Sequence, residues 1–281
     1  MISRIQNKQV RTVFYSVLIF FASFIAWPAF TLFKNAFEYK HAFSFQNFNA
    51  VLGEGKLGTA FANSFRVSFI SSLITTVLAF AVAYTVCFTN IPAWLKKTLR
   101  TLAVFPMLLP YAVNEARKNF TEQITNTIPG MVLGIAFLLT FRKTPIHNTL
   151  IIIVACNLIH FFATPFLMMK GALEKMNSSW ETTAAVLGDN WIKTVTRIIA
   201  PNALPTLLEI FCYLFINGMV TVSAIVFIAG AKAMVITTKI QELQHFAKFN
   251  EIFILSIYIL LTNLVLKGVK GIINMKILKR S

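Results

Sequence analysis

Residues 67–95 read VSFISSLITTVLAFAVAYTVCFTNIPAWL and contain no Asp, Glu, Lys or Arg over 29 positions. A helix needs about 20 apolar residues to cross the hydrocarbon core of a bilayer, so this stretch predicts a membrane-spanning helix. The whole chain has the same character: 57% of its 281 residues are hydrophobic and 13% are charged, whereas soluble domains carry about 25% charged residues. High hydrophobicity also excludes a disordered chain. The sequence therefore predicts a polytopic membrane protein.

Three further charge-free stretches are long enough to cross a membrane, namely Thr12–Phe33, Thr144–Met169 and Ile210–Ala231. A shorter stretch, Ile252–Leu266, has 15 residues. We expect it to become another span because the lysines that follow it can extend their ammonium groups to the membrane surface.

The region 101–141 predicts one more span, interrupted by a polar segment. Residues 101–110 and 130–141 are charge-free and together supply 10 + 12 = 22 positions. Between them lies a candidate insert, residues 111–129, which read YAVNEARKNFTEQITNTIP. It would either emerge as an external hairpin or disable the span. The alternative is two short or re-entrant helices around a polar turn, which requires burial of the backbone by protein.

Six spans place both termini on the same side of the membrane. With the N-terminus inside, 15 Lys and Arg residues lie on the cytoplasmic side and 9 on the outer side, so the positive-inside rule predicts cytoplasmic termini. The net charge of +16 is then explained by orientation and by contact with anionic lipid, without nucleic acid. We expect the first span to be uncleaved, because its 22 apolar residues exceed a signal-peptide core of 7 to 15.

Motifs for catalysis, cofactors or metals are missing from the sequence. It has no phosphate-binding G-x-x-x-x-G-K-[ST], no H-E-x-x-H and no G-x-S-x-G, and Asp189 is its one aspartate. Cys87, Cys156 and Cys212 all fall in apolar stretches and are interpreted as packing residues, as is His160. The prediction is a protein that is not an enzyme, with no cofactor, and any ATP chemistry would belong to a partner.

The longest connection between spans on the predicted cytoplasmic side, residues 170–201, predicts two short helices. Residues 174–201 read EKMNSSWETTAAVLGDNWIKTVTRIIAP. Ser178 or Ser179 can cap a helix that begins at Trp180, with Glu181 in the first turn, where the positive end of the helix favours a carboxylate.

A glycine then predicts the stop between the two helices. Gly188 fits a C-terminal cap, and Asn190 can cap a second helix that we expect to end before Pro201. This helix would carry Trp191, Val195 and Ile198 on one face. On residue types alone the segment could also be a plain connector.

The spacing of this segment resembles the EAA loop in the permease subunits of ATP-binding-cassette importers. That family's pattern is Glu-Ala-Ala, three residues, Gly, nine residues, Ile, one residue, Leu-Pro. Gly188, Ile198 and Pro201 fit this spacing, with Ala200 in place of Leu. The beginning of the segment departs from the family pattern. Thr182-Thr183-Ala184 occupies the Glu-Ala-Ala positions, and the acidic residue, Glu181, stands one place earlier.

The resemblance implies an all-α, type I importer permease of a bacterial inner membrane, with about six transmembrane helices, as a single domain over residues 1–281. It also implies alternating access driven by a cytoplasmic ATP-binding subunit, an extracytoplasmic substrate-binding protein and a second permease copy or sister subunit. The residues implied to dock the ATPase are Trp180, Glu181, Ala184, Ala185, Gly188, Ile198 and Pro201. Trp180 or Trp191 could serve as a buried anchor in this contact.

Residues 205–227, PTLLEIFCYLFINGMVTVSAIVF, resemble importers of 2-aminoethylphosphonate and, less closely, of iron(III). The polar side chains in this helix, Glu209, Asn217, Thr221 and Ser223, either line a translocation path or bond to neighbouring helices, Glu209 through an interfacial pair with a basic residue. The alternative of another class is a secondary transporter or channel without an ATPase, which would show paired broken helices and carboxylate relays.

Overall fold

The computed structural model describes residues 8–39, 42–44, 48, 55–89, 91–115, 130–176, 179–186, 188 and 190–278. Within them the α-helices are α1 Lys8–Phe37, α2 Gly55–Phe88, α3 Ala93–Glu115, α4 Gly130–Phe141, α5 Leu150–Phe161, α6 Ala163–Leu173, α7 Ser179–Val186, α8 Trp191–Thr194, α9 Ala200–Val220, α10 Ile225–Ile228, α11 Ile236–His245 and α12 Phe249–Leu278. Two-residue strands, β1 Glu38–Tyr39 and β2 Ala42–Phe43, pair antiparallel. Apart from this small ladder, the all-α prediction is confirmed.

Four helical stretches in the described residues are long and apolar enough to cross a membrane: Arg11–Phe37, α2, Trp191–Val220 and Phe249–Lys276. The bent pair α5 and α6 makes a fifth if it is one span. The expected third span is represented by α3 and by α4, an apolar helix of 12 residues. Helix α3 continues to Glu115, so the start of the candidate insert 111–129 is helical, and residues 116–129 lie outside the described part of the chain.

The expected fourth span, Thr144–Met169, is wrong at its start and is not straight. Residues 142–149 form turns, and α5 and α6 follow with a bend of 52° between them. Pro165, in the first turn of α6, explains the bend, because its ring would clash with the carbonyl group of Phe161 in a continuous helix.

The expected fifth span, Ile210–Ala231, is also displaced, and the helix predicted to end before Pro201 does not end there. The chain is helical from Trp191 to Val220, and beyond it only the four-residue α10 is helical before Gly230. Counting charge-free residues excluded the first half of this helix because it carries Lys193, Arg197 and Glu209. Charges near a helix end are tolerated when they reach the surface or find a partner.

The backbone groups into two compact units, residues 1–58 with 240–260 and residues 59–239 with 261–281. In the first unit, Phe48 packs against Phe37 and Tyr258, with ring centroids 5.1 and 6.1 Å apart. Side chains of residues 11–30 are exposed along α1, as expected for an apolar helix facing lipid. The prediction of one domain over 1–281 stays a prediction.

The second unit contains two clusters of buried side chains. The first, here the Phe166 cluster, joins α2, α3, α6 and the beginning of α9; its members include Tyr84, Ala103, Phe166, Met169, Ile199, Ala203 and Ile210. The second, the Ile225 cluster, joins α2, α4, α5 and α10; its members include Val67, Phe137, Ile152, Cys156, Ala224, Ile225 and Ile228. Each cluster removes an apolar helix face from its surroundings, and the Phe166 cluster lies next to the loop 170–201.

Candidate functional site

The loop 170–201 contains the first of the two predicted short helices, followed by a glycine turn; the second predicted helix begins at Trp191 as α8 but continues through the π turn into α9. Helix α7 begins at Ser179, one residue before the expected Trp180. Gly188 has φ +76°, the left-handed conformation that ends many helices. Asn190 occupies the N-cap position of α8, but its side chain makes no capping bond, and its carbonyl oxygen accepts the amide of Lys193 at 2.8 Å.

A π turn over Val195–Ile199 carries the chain from α8 into α9. The amide of Ala200 donates to the carbonyl of Val195, five residues earlier. Pro201 follows in the first turn of α9, where a missing N–H costs little. The turn therefore allows one helix to pass through a proline that the sequence pattern marked as its end.

The predicted docking residues differ in how accessible they are. Ala184 is buried within the chain at 3% exposure, Trp180 and Ile198 are half-buried, and Gly188 and Pro201 are exposed. The side chains of Glu181 and Ala185 lie outside the described part of the structure.

Among the described residues of this loop, the most exposed apolar side chains flank the glycine turn, and sequence reasoning missed two of them. Val186 is 83%, Trp191 60% and Ile192 57% exposed. Val186 and Ile192 carry no motif, and the signal that could have found them is that large apolar residues stand directly beside a turn. Together these three side chains form what we call the loop patch, and apolar patches on polar loops mark sites of interaction.

A hydrogen bond joins the loop to α2. The indole Nε1 of Trp191 donates to the hydroxyl oxygen of Tyr84 at 2.8 Å, and the two rings are tilted at a centroid distance of 6.0 Å. Tyr84 is 4% exposed and stacks on Phe80 and Phe88. Trp191 thus has one edge at the surface and its polar atom fixed to a buried side chain of α2.

The four polar residues singled out in α9 and just after it do not come together as one group. The carboxylate of Glu209 lies 3.3 Å from the ammonium of Lys270 on α12. Asn217 donates to the carbonyl of Tyr213 at 2.7 Å, and Thr221 donates to the carbonyl of Asn217 at 2.5 Å. Ser223 lies past the end of the helix, against Gly130 at the start of α4.

Two of these residues line a cavity of about 540 Å³ formed by α6, α9 and α12. Its polar lining comes from Glu209, Tyr213, Asn217, Lys267 and Lys270. Apolar side chains complete it, including Met168, Cys212 and Ile216. The two lysines and Tyr213 were not among the candidate path residues of the sequence. The spacing 209, 213, 217 on one helix face could have found Tyr213, but no local signal points to the lysines. We call this the Lys267 cavity.

No group of three or more His, Cys, Asp or Glu side chains that could hold a metal ion occurs in the described residues. Cys156 and Cys212 are buried thiols and Cys87 is half-buried. His160 is half-buried, with its ring 4.6 Å from that of Phe161 in an edge-to-face arrangement. The site therefore consists of the loop patch, its bond to α2 and the Lys267 cavity.

Comparison with known proteins gives a family match over most of the chain. Residues 75–279 match the family described as binding-protein-dependent transport system inner membrane component. The match includes both the loop 170–201 and the Lys267 cavity.

Two curated relatives match about half of the chain. The ferric transport system permease protein FbpB of Actinobacillus pleuropneumoniae is 29% identical over 148 residues, which is 49% of this chain and 21% of the relative. The putative ferric transport system permease protein FbpB 1 of Haemophilus influenzae is 27% identical over 142 residues, 47% of this chain and 22% of the relative. The matched part thus spans about a fifth of the length of these relatives.

Solved structures of ABC importers share the fold. A bacterial ABC transporter that imports the acidic polysaccharide alginate superimposes with a TM-score of 0.69 at 17% identity, over 95% of each chain. An inward-facing form of the MetNI methionine ABC transporter gives a TM-score of 0.56 at 14% identity, over 80% of this chain and 97% of the other. The predicted type I importer permease fold is confirmed.

Proposed function

The chain belongs to the family of binding-protein-dependent transport system inner membrane components, and we propose that within it the chain is the permease subunit of an ATP-driven importer. It is a multi-pass membrane protein whose helices form one side of the translocation path. ATP is hydrolysed by a separate cytoplasmic subunit that docks on the loop 170–201. A substrate-binding protein delivers the cargo outside, and a second permease chain completes the path.

The loop patch is the observation that carries this proposal. Val186, Trp191 and Ile192 expose apolar surface beside the Gly188 turn, on the side that the lysine distribution predicts as cytoplasmic. Buried aromatic anchors dominate the energy of many protein interfaces, and Trp191 is suited to that role. Its bond to Tyr84 gives a direct route by which movement of the docked subunit reaches the membrane helix α2.

The test is co-purification of the chain with the ATP-binding subunit encoded beside it, followed by ATPase measurement in proteoliposomes. Ile192→Asp places a charge in the loop patch and should reduce the bound ATPase by tenfold or more. Lys175→Asp is the matched control, since Lys175 is exposed in the turn after α6 and outside the patch; it should retain the ATPase. Equal binding by both variants would exclude the patch as the docking surface.

The translocation path is proposed to run past the Glu209 face of α9. Glu209 and Asn217 line the Lys267 cavity, whereas Thr221 and Ser223 lie at the far end of the helix, so the four residues mark a line along the membrane rather than one site. Intramembrane charged residues usually face a protein interior or a water-filled cavity, which supports this assignment.

Two substrates are proposed, each with its own support. The resemblance of residues 205–227 favours an organophosphonate such as 2-aminoethylphosphonate, and the lysines of the cavity suit an anion. The two curated relatives are ferric transport permeases by name, which favours iron(III). Uptake of radiolabelled 2-aminoethylphosphonate and of ⁵⁵Fe(III), by cells with and without this chain, distinguishes them. Loss of neither uptake on deletion would reject both.

A further inference from the structure

We propose that the Lys267 cavity binds a phosphorus oxyanion, the phosphate group of an anionic phospholipid, at the surface of α9 and α12. This assigns a lipid ligand to the cavity that lies beside the proposed translocation path. A free phosphonate or phosphate carries the same chemical group and is the competing source. Only binding of the free solute rests on the proposed function; binding of the phospholipid does not.

The charges in the cavity do not balance. It contains two ammonium groups and one carboxylate, and the carboxylate of Glu209 is engaged by Lys270 at 3.3 Å. Lys267 has no hydrogen-bond or ion-pair partner among the described residues. One positive charge, on the exposed Lys267, is left without a carboxylate partner, and lysine is a common point-charge ligand of phosphate.

The polar groups lie on two helical faces that meet. Glu209, Tyr213 and Asn217 are spaced four residues apart and share one face of α9. Lys267 and Lys270 are three apart on α12, so their side chains are neighbours. Tyr213 lines the same cavity as the two lysines, so α9 adds a hydroxyl group to the ammonium groups that α12 offers an oxyanion.

The surroundings favour a lipid over a small solute. Along α12 the exposed side chains on either side of Lys267 are apolar, with Leu264 62%, Val265 64% and Ile272 54% exposed. A ligand that fits both features has an anionic head and an apolar tail. Lys267 also lies on the side predicted as cytoplasmic, where basic pockets between membrane helices bind anionic head groups. The volume of about 540 Å³ is large enough for a glycerophosphate head group.

The experiment is native mass spectrometry of the full chain released from vesicles of equal parts phosphatidylglycerol and phosphatidylcholine. The ratio of phosphatidylglycerol to phosphatidylcholine adducts is measured for the native chain and three variants. Lys267→Gln should lower the ratio about fivefold, in line with the contribution of one lysine at a lipid surface. Lys276→Gln, an exposed lysine of the same helix outside the cavity, should leave it unchanged.

Glu209→Gln tests the sign of the effect. Removing the carboxylate frees Lys270 for the ligand, so the adduct ratio should rise about fivefold, which a misfolded variant would not produce. A parallel arm adds inorganic phosphate or 2-aminoethylphosphonate to the chain in phosphatidylcholine alone and follows its thermal unfolding. Stabilisation there that Lys267→Gln abolishes, with no preference for phosphatidylglycerol, supports the same oxyanion site but overturns the lipid as its source. Equal ratios for Lys267→Gln and Lys276→Gln, with no solute effect, overturn the site.

Discussion

The Phe166 cluster and the Ile225 cluster are packed in different ways, although both belong to the same compact unit. The Phe166 cluster is filled by large buried side chains such as Phe166, Met169 and Ile210. At the Ile225 cluster, glycine backbone lies directly against its neighbours: a Cβ added at Gly134 of α4 would overlap the backbone carbonyl oxygen of Ala224, and one at Gly230 would overlap the side-chain amide of Asn148.

This difference teaches that the two regions are specified by opposite properties of the sequence. The Phe166 cluster depends on volume, so it is sensitive to the loss of atoms and can adapt to a change of shape. The Ile225 cluster depends on the absence of side chains, so it is sensitive to the gain of a single methyl group. Ile199 of the loop 170–201 belongs to the Phe166 cluster. Movement of the loop therefore displaces packed side chains of this cluster, not a close contact between backbones.

The largest effect is expected when volume is removed from the Phe166 cluster. Phe166→Ala should lower the free energy of unfolding by about 3–5 kcal/mol, because it leaves a cavity among α2, α6 and α9. The neighbouring Leu167 is 42% exposed, so Leu167→Ala should cost far less. Thermal unfolding in detergent compares the two variants, and similar losses would show that this cluster is not packed by volume.

The Ile225 cluster should show the reverse sensitivity. Gly134→Ala adds one methyl group against the backbone of Ala224 and should destabilise the protein by about 3 kcal/mol, because α4 has to move away from α10. Gly171→Ala in α6 meets nothing within 4 Å and should be neutral or slightly stabilising. A neutral Gly134→Ala in the same unfolding assay would contradict the close backbone contact.

A smaller effect is expected at the Gly188 turn, which lies in the loop 170–201 next to the Phe166 cluster. Gly188→Ala forces a residue with a side chain into the left-handed conformation and should raise the free energy of the folded loop by about 1–2 kcal/mol. Gly188→Asn should recover most of this loss, because Asn tolerates that conformation. Retention of the ATPase subunit on co-purification is the measurement, and an equal defect in both variants would indicate contact with the partner instead of backbone strain.

The smallest effect concerns the single hydrogen bond between the loop and α2. Tyr84→Phe removes one hydroxyl group and should cost about 1 kcal/mol of stability. Trp191→Phe and the double variant complete a double-mutant cycle. We expect the number of ATP molecules hydrolysed per substrate transported to rise in all three variants, with non-additive effects. Additive effects would mean that the two side chains act independently.

The sequence was sufficient where one property decides the structure. The length of the apolar run predicted α1, and α12 followed once the lysines after its 15-residue run were allowed to reach the membrane surface. Gly188 predicted a turn at its own position because few other residues adopt a positive φ. It failed where two local rules compete. Pro201 is a helix terminator by pattern, yet at the start of α9 it is tolerated, and Pro165 bends a span whose composition is uniformly apolar.

The candidate site was predictable to a similar degree. Trp191 was named as a candidate anchor, but its partner Tyr84 is 107 residues away along the chain and no local pattern connects them. The Lys267 cavity was missed for the same reason, because its lysines lie about 60 residues after Glu209 and were counted only as orientation signals. Pairings across such distances depend on how helices pack, which a periodic pattern does not encode.

The π turn at Val195–Ile199 sets the angular phase between the loop and the membrane helix. One residue corresponds to about 100° of rotation around an α-helix, so the turn determines which direction the Gly188 end faces relative to the buried side of α9. The turn fits one extra residue into the ring that the hydrogen bond from Ala200 to Val195 closes, and deleting that residue would restore α-helical winding with the two flanking faces nearly in their present register. A deletion one turn further along α9 would leave the π turn in place and rotate the proposed docking surface by about 100°.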